Sequence, residues 1–242
     1  MHPSALLAGK QFFQTYCPAA DVAVLDVGSQ DVNGSLRSVA PNGCRYTGVD
    51  MSPGPGVDVV AVDPYNLPFD DSAFDVVLST SCFEHDPCFW LAFLECIRVL
   101  KNGGYFYLNV PSNGVYHTFP TDNWRFYPDA GLALAIWGRR NKLDVHVEES
   151  FILNQTDASW EREPTVLGQI QGSWNDFVCV FRKGLTPNHQ IAVDRMYSSF
   201  PRASNVWIRG NDTIMRPELM PENMRKVIRV GSPTPIKSGS LT

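Results

Sequence analysis

Short apolar runs alternate with turn-rich and helically spaced stretches through the first 184 residues, and three of those runs close on or beside an aspartate. Residues 22–27, 45–50, 57–62, 74–79 and 105–110 are too short for helices and are bounded by Gly, Pro, Asn or Asp, the pattern of buried strands. The connections between them are too long for hairpins. The strands must therefore run mainly parallel, and a parallel sheet needs helices on both faces. Apolar spacing predicts helices over 32–40, over 89–100, where Lys101-Asn102-Gly103-Gly104 supplies the stop, and over 128–140 with Pro128 in the first turn. Residues 145–153 and 176–181 read as closing strands, with 154–173 between them as a long loop or hairpin extension. The fold class is α/β.

Composition narrows the function classes. The 242 residues are 44% apolar and 19% charged, enough for one sizeable core and unlike a disordered, coiled-coil or collagen-like chain. The net charge of −5 conceals a split. Residues 1–184 carry 12 basic and 21 acidic side chains, a net of −9, and residues 185–242 carry 8 and 4, a net of +4. Those eight positive charges are scattered without a run, a poor footprint for nucleic acid. No apolar run approaches the roughly 20 residues that span a bilayer, and the N-terminal Met1-His2-Pro3-Ser4-Ala5-Leu6-Leu7 lacks the features of a secretory signal. Six cysteines (17, 44, 82, 88, 96 and 179) form no C-x-x-C pair, and no His stands at zinc spacing from them. They read as reduced thiols of a cytoplasmic protein with no disulfide framework and no metal.

In a parallel sheet, ligands bind beyond the carboxyl ends of the strands. Asp26 stands at the end of the first strand just before Gly28-Ser29, Asp50 closes the second, and Asp63 follows the third. A turn containing Gly28 and Gly34 lets the backbone approach a ligand and exposes amides at a helix N-terminus. An acid ending the second strand is placed to accept from both ribose hydroxyls of a nucleoside. Singly, each Asp serves as easily as a turn former or cap; three in register point to a nucleoside-binding edge.

The ordered blocks Val24-Leu25-Asp26-Val27-Gly28-Ser29, Tyr46-Thr47-Gly48-Val49-Asp50, Asp63 through Leu67-Pro68-Phe69, and Phe74-Asp75-Val76-Val77 continue into Glu84-His85 and Arg98-Val99-Leu100-Lys101-Asn102-Gly103-Gly104. Over residues 20–112 they resemble the motifs of class I S-adenosylmethionine-dependent methyltransferases of the type 11 kind. The resemblance implies a Rossmann-like sheet of seven mostly parallel strands, one antiparallel, with helices on both faces. It implies S-adenosylmethionine as cofactor, with Asp26, Gly28 and Ser29 by the methionine end. Asp50 and Met51 would lie at the ribose, Asp63 at the adenine amino group, and the backbone around Ser79 along the methyl-donor side. Two features depart from the family pattern. Gln30 and Val32 stand where further glycines are usual, and Pro64, which has no N–H, stands where a backbone donor often faces adenine. A nicotinamide-binding fold shares the first two blocks but not the Leu-Pro-Phe and Gly-Gly blocks.

The methyl acceptor is read from less regular sequence. A hydroxyl acceptor must shed its proton, and His85, His117 and Asp122 are the candidate bases. The aromatic and polar stretch 116–127 follows the fifth strand. Its composition suits a sugar or another polyhydroxylated ligand through stacking and hydrogen bonds, with Tyr116, Trp124 and Arg125 as contacts. It reads equally as a surface loop pinned by buried aromatics. Arg125 would pair with a carboxylate or phosphate of the acceptor or with Asp129. Similar Asp-Asn-Trp-Arg-Phe segments before a Pro-Asp helix occur in methyltransferases of surface-polysaccharide and glycan biosynthesis, so the resemblance implies O-methylation of a sugar hydroxyl in a glycan or nucleotide-sugar precursor. A phenol or amine acceptor, and a non-catalytic assembly role, are the other readings. Residues 185–242 show helical patterns over 189–200 and 221–230 interrupted by prolines. The expected division is a methyltransferase domain over 1–184 and an extension over 185–242 that serves as arm, lid or homodimer contact.

Overall fold

The computed structural model describes residues 3–17, 21–154, 175–184, 195–201 and 203–209. The expected loop at 154–173 apart from Asn154, the helical pattern at 221–230 and the first half of that at 189–200 lie outside the described residues, and the described half of the last forms a 3-10 turn, Met196–Ser199. Strands β1 (Ala23–Val27), β2 (Arg45–Asp50), β3 (Val59–Val60), β4 (Phe74–Thr80), β5 (Leu100–Pro111), β6 (Val145–Asn154), β7 (Asn175–Lys183) and β8 (Ala203–Ile208) form one sheet in the order β3-β2-β1-β4-β5-β7-β6-β8. β3, β2, β1, β4 and β5 are parallel neighbours, whereas β7 runs antiparallel to β5 and β6. The strand order reverses between β1 and β4, which places the crevice beyond β1 at the turn carrying Gly28.

The sheet therefore has eight strands where the sequence reading stops at seven. The added strand, β8, comes from the proline-punctuated tail and pairs antiparallel with β6, so two strands run against the rest rather than one. Its Val206 is fully buried and its Ile208 nearly so, which is why the edge of the sheet takes it up.

Each face is covered by helix. Helix α1 (Pro3–Tyr16) lies on one face, where Ala8, Phe12 and Phe13 pack with Val24, Leu78, Tyr107, Phe151 and Val180. Helices α2 (Phe89–Val99) and α3 (Ala130–Arg140) cover the other, where Phe93, Ile97 and Leu134 meet Leu25, Val77, Phe106, Cys179 and Phe181. α1 was not among the expected helices, although its buried residues recur at the three- and four-residue spacing of a helix face.

Three local expectations are corrected. Instead of a helix over 32–40, the chain forms one 3-10 turn, Leu36–Val39, capped by Ser35. Asp31 Oδ1 accepts from the Gly34 amide and Gly34 sits at φ +120°, a turn geometry that leaves too few residues before Pro41 for a helix. The Lys101-Gly104 block does not cap α2 with glycine either, because Leu100 is already extended and begins β5. Lys101 Nζ reaches Asp75 Oδ1 at 2.8 Å while Asp75 Oδ2 accepts from the Ala23 amide at 2.9 Å, locking the starts of β5, β4 and β1 together. The third apolar run, 57–62, pairs only at Val59–Val60, and Val62 is left 91% exposed.

Candidate functional site

Because β1, β2, β3 and β4 are parallel, their carboxyl ends share one edge. Asp26 is 5% exposed there, and Tyr46 on β2 donates its hydroxyl to Asp26 Oδ2 at 2.7 Å. Burial raises the Asp26 carboxyl to about 6, with the Tyr46 hydrogen bond opposing the shift and the Asp50 charge adding to it. Gly28 turns the chain at φ +80°, and a Cβ there would lie 2.4 Å from Cys82 Sγ, so the residue must be glycine. Its amide and that of Ser29 donate to the Val49 carbonyl and draw the loop after β1 against β2. The loop approaches closely because Gly48 has no side chain: a Cβ would sit 2.6 Å from Ser29 Oγ.

The end of β2 is tied to that loop. Asp50 Oδ2 accepts from the Gln30 amide at 3.1 Å and Oδ1 from the Met51 amide at 2.7 Å. The Gln30 that departs from the glycine pattern thus contributes a backbone donor to Asp50. Met51 itself is 56% exposed. Asp63 is exposed and turns the chain by accepting from the Tyr65 amide at 2.9 Å. Ser79 is fully buried and donates its hydroxyl to the Val27 carbonyl at 3.0 Å, closing β4 onto β1. Ser29 Oγ is buried at the same turn with no hydrogen-bond partner. A buried hydroxyl with hydrogen-bonding capacity to spare at a glycine turn is a group that polar atoms of a ligand can engage, which makes this turn a candidate site. The helix N-terminus expected after Gly28 is not part of it.

The expected acceptor residues gather at the next turn. After β4, Ser81 takes φ +51° and the chain brings Glu84 and His85 to the strand ends. Segment 116–127 is stapled onto this turn: Asn123 and Trp124 donate amides to the Glu84 carbonyl, Asn123 Nδ2 and Thr121 Oγ1 donate to the His85 carbonyl, and Trp124 Nε1 donates to the Asp86 carbonyl at 2.9 Å. His85 Nδ1 faces the Thr121 carbonyl, which can only accept, so Nδ1 carries the hydrogen and Nε2 is the basic nitrogen. The His117 ring stands edge-on to His85 with centroids 5.0 Å apart. Burial lowers the His117 pKa, against the pull of Asp122, which keeps this imidazole neutral near pH 7.

Asp122 has a different task from the one expected of it. Burial would raise its pKa, but the Arg125 fork at 2.5 and 2.7 Å and the His117 amide at 2.7 Å outweigh that and hold it below the ordinary carboxylate value. A carboxylate so engaged is an anchor for the segment and a poor base. Arg125 is held by Asp122 and by the Val115 and Trp124 carbonyls rather than by Asp129. Tyr116 is 66% exposed, and Trp124 is edge-on to Phe89 and Trp90. An apolar cavity of about 400 Å³, lined by Phe89, Trp90, Ala130, Ala133, Leu134 and Trp137, adjoins it between α2 and α3.

Sequence reasoning did not single out Glu84. Its side chain is fully buried, both carboxylate oxygens lack a hydrogen-bond partner, and burial pushes its pKa up to about 8. One of its oxygens and one ring nitrogen from each of His85 and His117 lie within 4.8 Å of one another. Position beside His85 at the end of β4 was the available signal. By contrast, Arg98 of the quoted blocks is structural: it pairs with Asp71 and Glu95 and donates to the Phe69 and Leu67 carbonyls, fastening the Leu-Pro-Phe loop to α2.

Residues 25–108 match the family described as a methyltransferase domain. The span contains Asp26, Asp50, Asp63, Ser79 and His85 and stops short of segment 116–127. A phthiotriol/phenolphthiotriol dimycocerosates methyltransferase of Mycobacterium tuberculosis is 42% identical over 72 residues, which is 25% of this chain and 27% of that protein. The chain thus matches only about a quarter of the length of such relatives. Among solved structures, the cyclase SpnF superposes with a TM-score of 0.55 at 17% identity, over 75% of this chain and 82% of its own. A 1,6-didemethyltoxoflavin-N1-methyltransferase of Burkholderia thailandensis, solved with S-adenosylhomocysteine, gives 0.52 at 18%, over 75% and 79%. At these identities the likeness is one of fold.

Proposed function

We propose that this chain, which carries a methyltransferase domain over residues 25–108 and the class I methyltransferase fold, is a cytoplasmic S-adenosylmethionine-dependent O-methyltransferase acting on a sugar hydroxyl of a glycan or nucleotide-sugar precursor. The observation that carries the cofactor reading is the strand-end set Asp26, Asp50 and Asp63 around a glycine turn with the unpartnered Ser29 hydroxyl. A shared fold alone would not carry it, since a cyclase has the same one. When bound, S-adenosylmethionine supplies an electrophilic methyl group on a sulfonium. Asp50 would accept from the ribose hydroxyls, Asp63 would serve the adenine amino group, and Asp26 and Ser29 would hold the amino-acid end. The chain's remaining work is to orient the acceptor and take charge of its proton, so much of the rate comes from positioning. In this reading Glu84, His85 and His117, which lie close together beyond β4 with segment 116–127 hydrogen-bonded to their turn, would flank the acceptor hydroxyl and take its proton.

A sugar acceptor is supported by the exposed Tyr116 and the half-exposed Trp124 beside these polar groups. The apolar cavity adjoining Trp124 supports a second reading, a small phenol. The six free thiols accord with a reducing compartment, and among the described residues no helix is long and apolar enough to cross a membrane. The extension after residue 184 as a homodimer contact belongs to the same proposal, although β8 within it is part of the sheet; light scattering of the full chain reads it, a dimer mass supporting the contact and a monomer mass refuting it. The deciding experiment incubates the chain with methyl-labelled S-adenosylmethionine and matched panels of nucleotide sugars, oligosaccharides, phenols and amines. Label transferred to a sugar oxygen supports the proposal; transfer only to phenols moves the reading to the second acceptor class. No transfer to any panel, with cofactor bound, refutes the enzyme reading.

A further inference from the structure

Glu84 is a carboxylate that the fold buries and does not satisfy. Its side chain is 1% exposed, and neither oxygen has a hydrogen-bond partner. An isolated ionised carboxylate in such a place is very costly, and buried charges are found paired or bound to metal. Arg125, the cation near it, is already held by Asp122 in a two-point fork. The Asp122 and Asp176 carboxylates add further negative charge around Glu84, and two imidazoles lie within reach of it. His85 Nε2 lies 3.7 Å from Glu84 Oε1, and a His117 ring nitrogen completes a triangle with no side above 4.8 Å.

We infer that Glu84, His85 and His117 form a binding site for a divalent first-row transition cation at the acceptor mouth. Two imidazoles and one carboxylate on one side of an ion leave its other positions open, the arrangement used where a metal must also hold a substrate oxygen. The set favours Zn²⁺, Mn²⁺ or Fe²⁺ over Mg²⁺ and Ca²⁺, which prefer all-oxygen shells. The hydrogen bonds around the ligands fit the role. His85 gives its Nδ1 hydrogen to the Thr121 carbonyl, and the Asp122 carboxylate lies 3.3 Å from His117 Nδ1 with the Val115 carbonyl at the same distance. Such partners orient a ligating imidazole and fix its tautomer. Bonds of about 2.0–2.1 Å require the three ligand atoms to draw in to roughly 3.3 Å of one another, a movement within the reach of side-chain rotation. His85 and His117 are far apart in sequence and unrelated to any cysteine, so local spacing could not reveal the set.

The site deepens the proposed function and rests on it for its role, though not for its geometry. An acceptor hydroxyl coordinated to the ion loses its proton to water more readily than a free alcohol, because the cation stabilises the oxyanion. The imidazoles then act as ligands, and two neighbouring hydroxyls of a sugar can occupy the open positions together.

The experiment is titration calorimetry of the full, chelator-stripped chain with ZnCl₂, repeated with MgCl₂. Glu84→Gln and His117→Ala are carried through the same titrations, and S-adenosylhomocysteine is titrated separately into each protein. One Zn²⁺ should bind per chain, at least about tenfold more weakly in either variant, with Mg²⁺ weaker still and the S-adenosylhomocysteine affinity unchanged. Co²⁺ substitution should give visible absorption bands that both variants lose. Zn²⁺ binding that is undetectable, or equal in the parent and both variants, overturns the site. If Zn²⁺ binds as expected while S-adenosylhomocysteine does not bind the parent, the metal site stands and the methyltransferase reading fails.

Discussion

Replacing Asp26 by Asn separates what this carboxylate does for binding from what it does to stability. Burial raises it from 3.8 to about 6 even though Tyr46 donates to it. That shift is about two units, and at roughly 1.4 kcal/mol per unit the ionised form destabilises the fold by about 3 kcal/mol at pH 8. The sign follows from the proton count. Between about pH 4 and pH 6 the unfolded chain has released a proton that the folded chain still holds, so this group makes stability fall as pH rises through that window. Above it, both states are ionised and the loss is complete. Asn has nearly the same volume, offers an oxygen to the Tyr46 hydroxyl and does not titrate. Urea unfolding at pH 4, 6 and 8, followed by circular dichroism, reads the difference if the slope m is unchanged. The variant should gain on the parent by about 3 kcal/mol between pH 4 and pH 8, and it should bind S-adenosylhomocysteine more weakly. A residue that weakens the fold and strengthens the site is what a functional carboxylate looks like. Parallel stability curves from pH 4 to pH 8 would refute the buried-carboxylate reasoning.

Gly28→Ala combines an unfavourable positive φ with a Cβ 2.4 Å from Cys82 Sγ, so the melting temperature should fall by an amount equivalent to about 2–4 kcal/mol. Adding Cys82→Ala should restore only part of it. Val206→Asp places a charge at a fully buried position of β8 and should lower urea stability by more than about 3 kcal/mol; an unchanged midpoint would separate residues 203–208 from the sheet. Trp124→Ala removes the ring between the acceptor segment and α2, and it should raise the acceptor KM by about tenfold while leaving S-adenosylhomocysteine affinity unaltered.

The strands that carry the cofactor edge were legible because their signals are local. Residues 23–27, 45–50 and 74–80 are apolar runs that end in turn residues, and their order alone implies parallel pairing. The missed parts depend on partners distant in sequence. β8 becomes a strand because β6 offers an edge, and it sits among prolines that speak against one. The turn at 36–39 looked helical in its spacing, but Asp31 and Gly34 commit the chain to a turn first. Among the site residues, Asp26 and Asp50 stand where strand-end logic puts them. Asp122 could not be told from a base until its oxygens were seen bound to Arg125. Glu84 carries no sequence signal of burial at all. Its significance lies in what fails to pair with it, and only the folded chain shows that.

The most direct test of the cofactor edge is calorimetric titration of S-adenosylhomocysteine into the parent chain and into Asp50→Ala. The half-buried Asp50 would lose two hydrogen bonds from ribose hydroxyls, each to a charged acceptor, so affinity should fall by about a hundredfold. The far-ultraviolet spectrum should stay unchanged, while the melting temperature should fall modestly because the Gln30 and Met51 amides lose their carboxylate acceptor. Equal affinity in the two proteins would remove Asp50 from the site, and no detectable heat from the parent at millimolar ligand would contradict the methyltransferase reading itself.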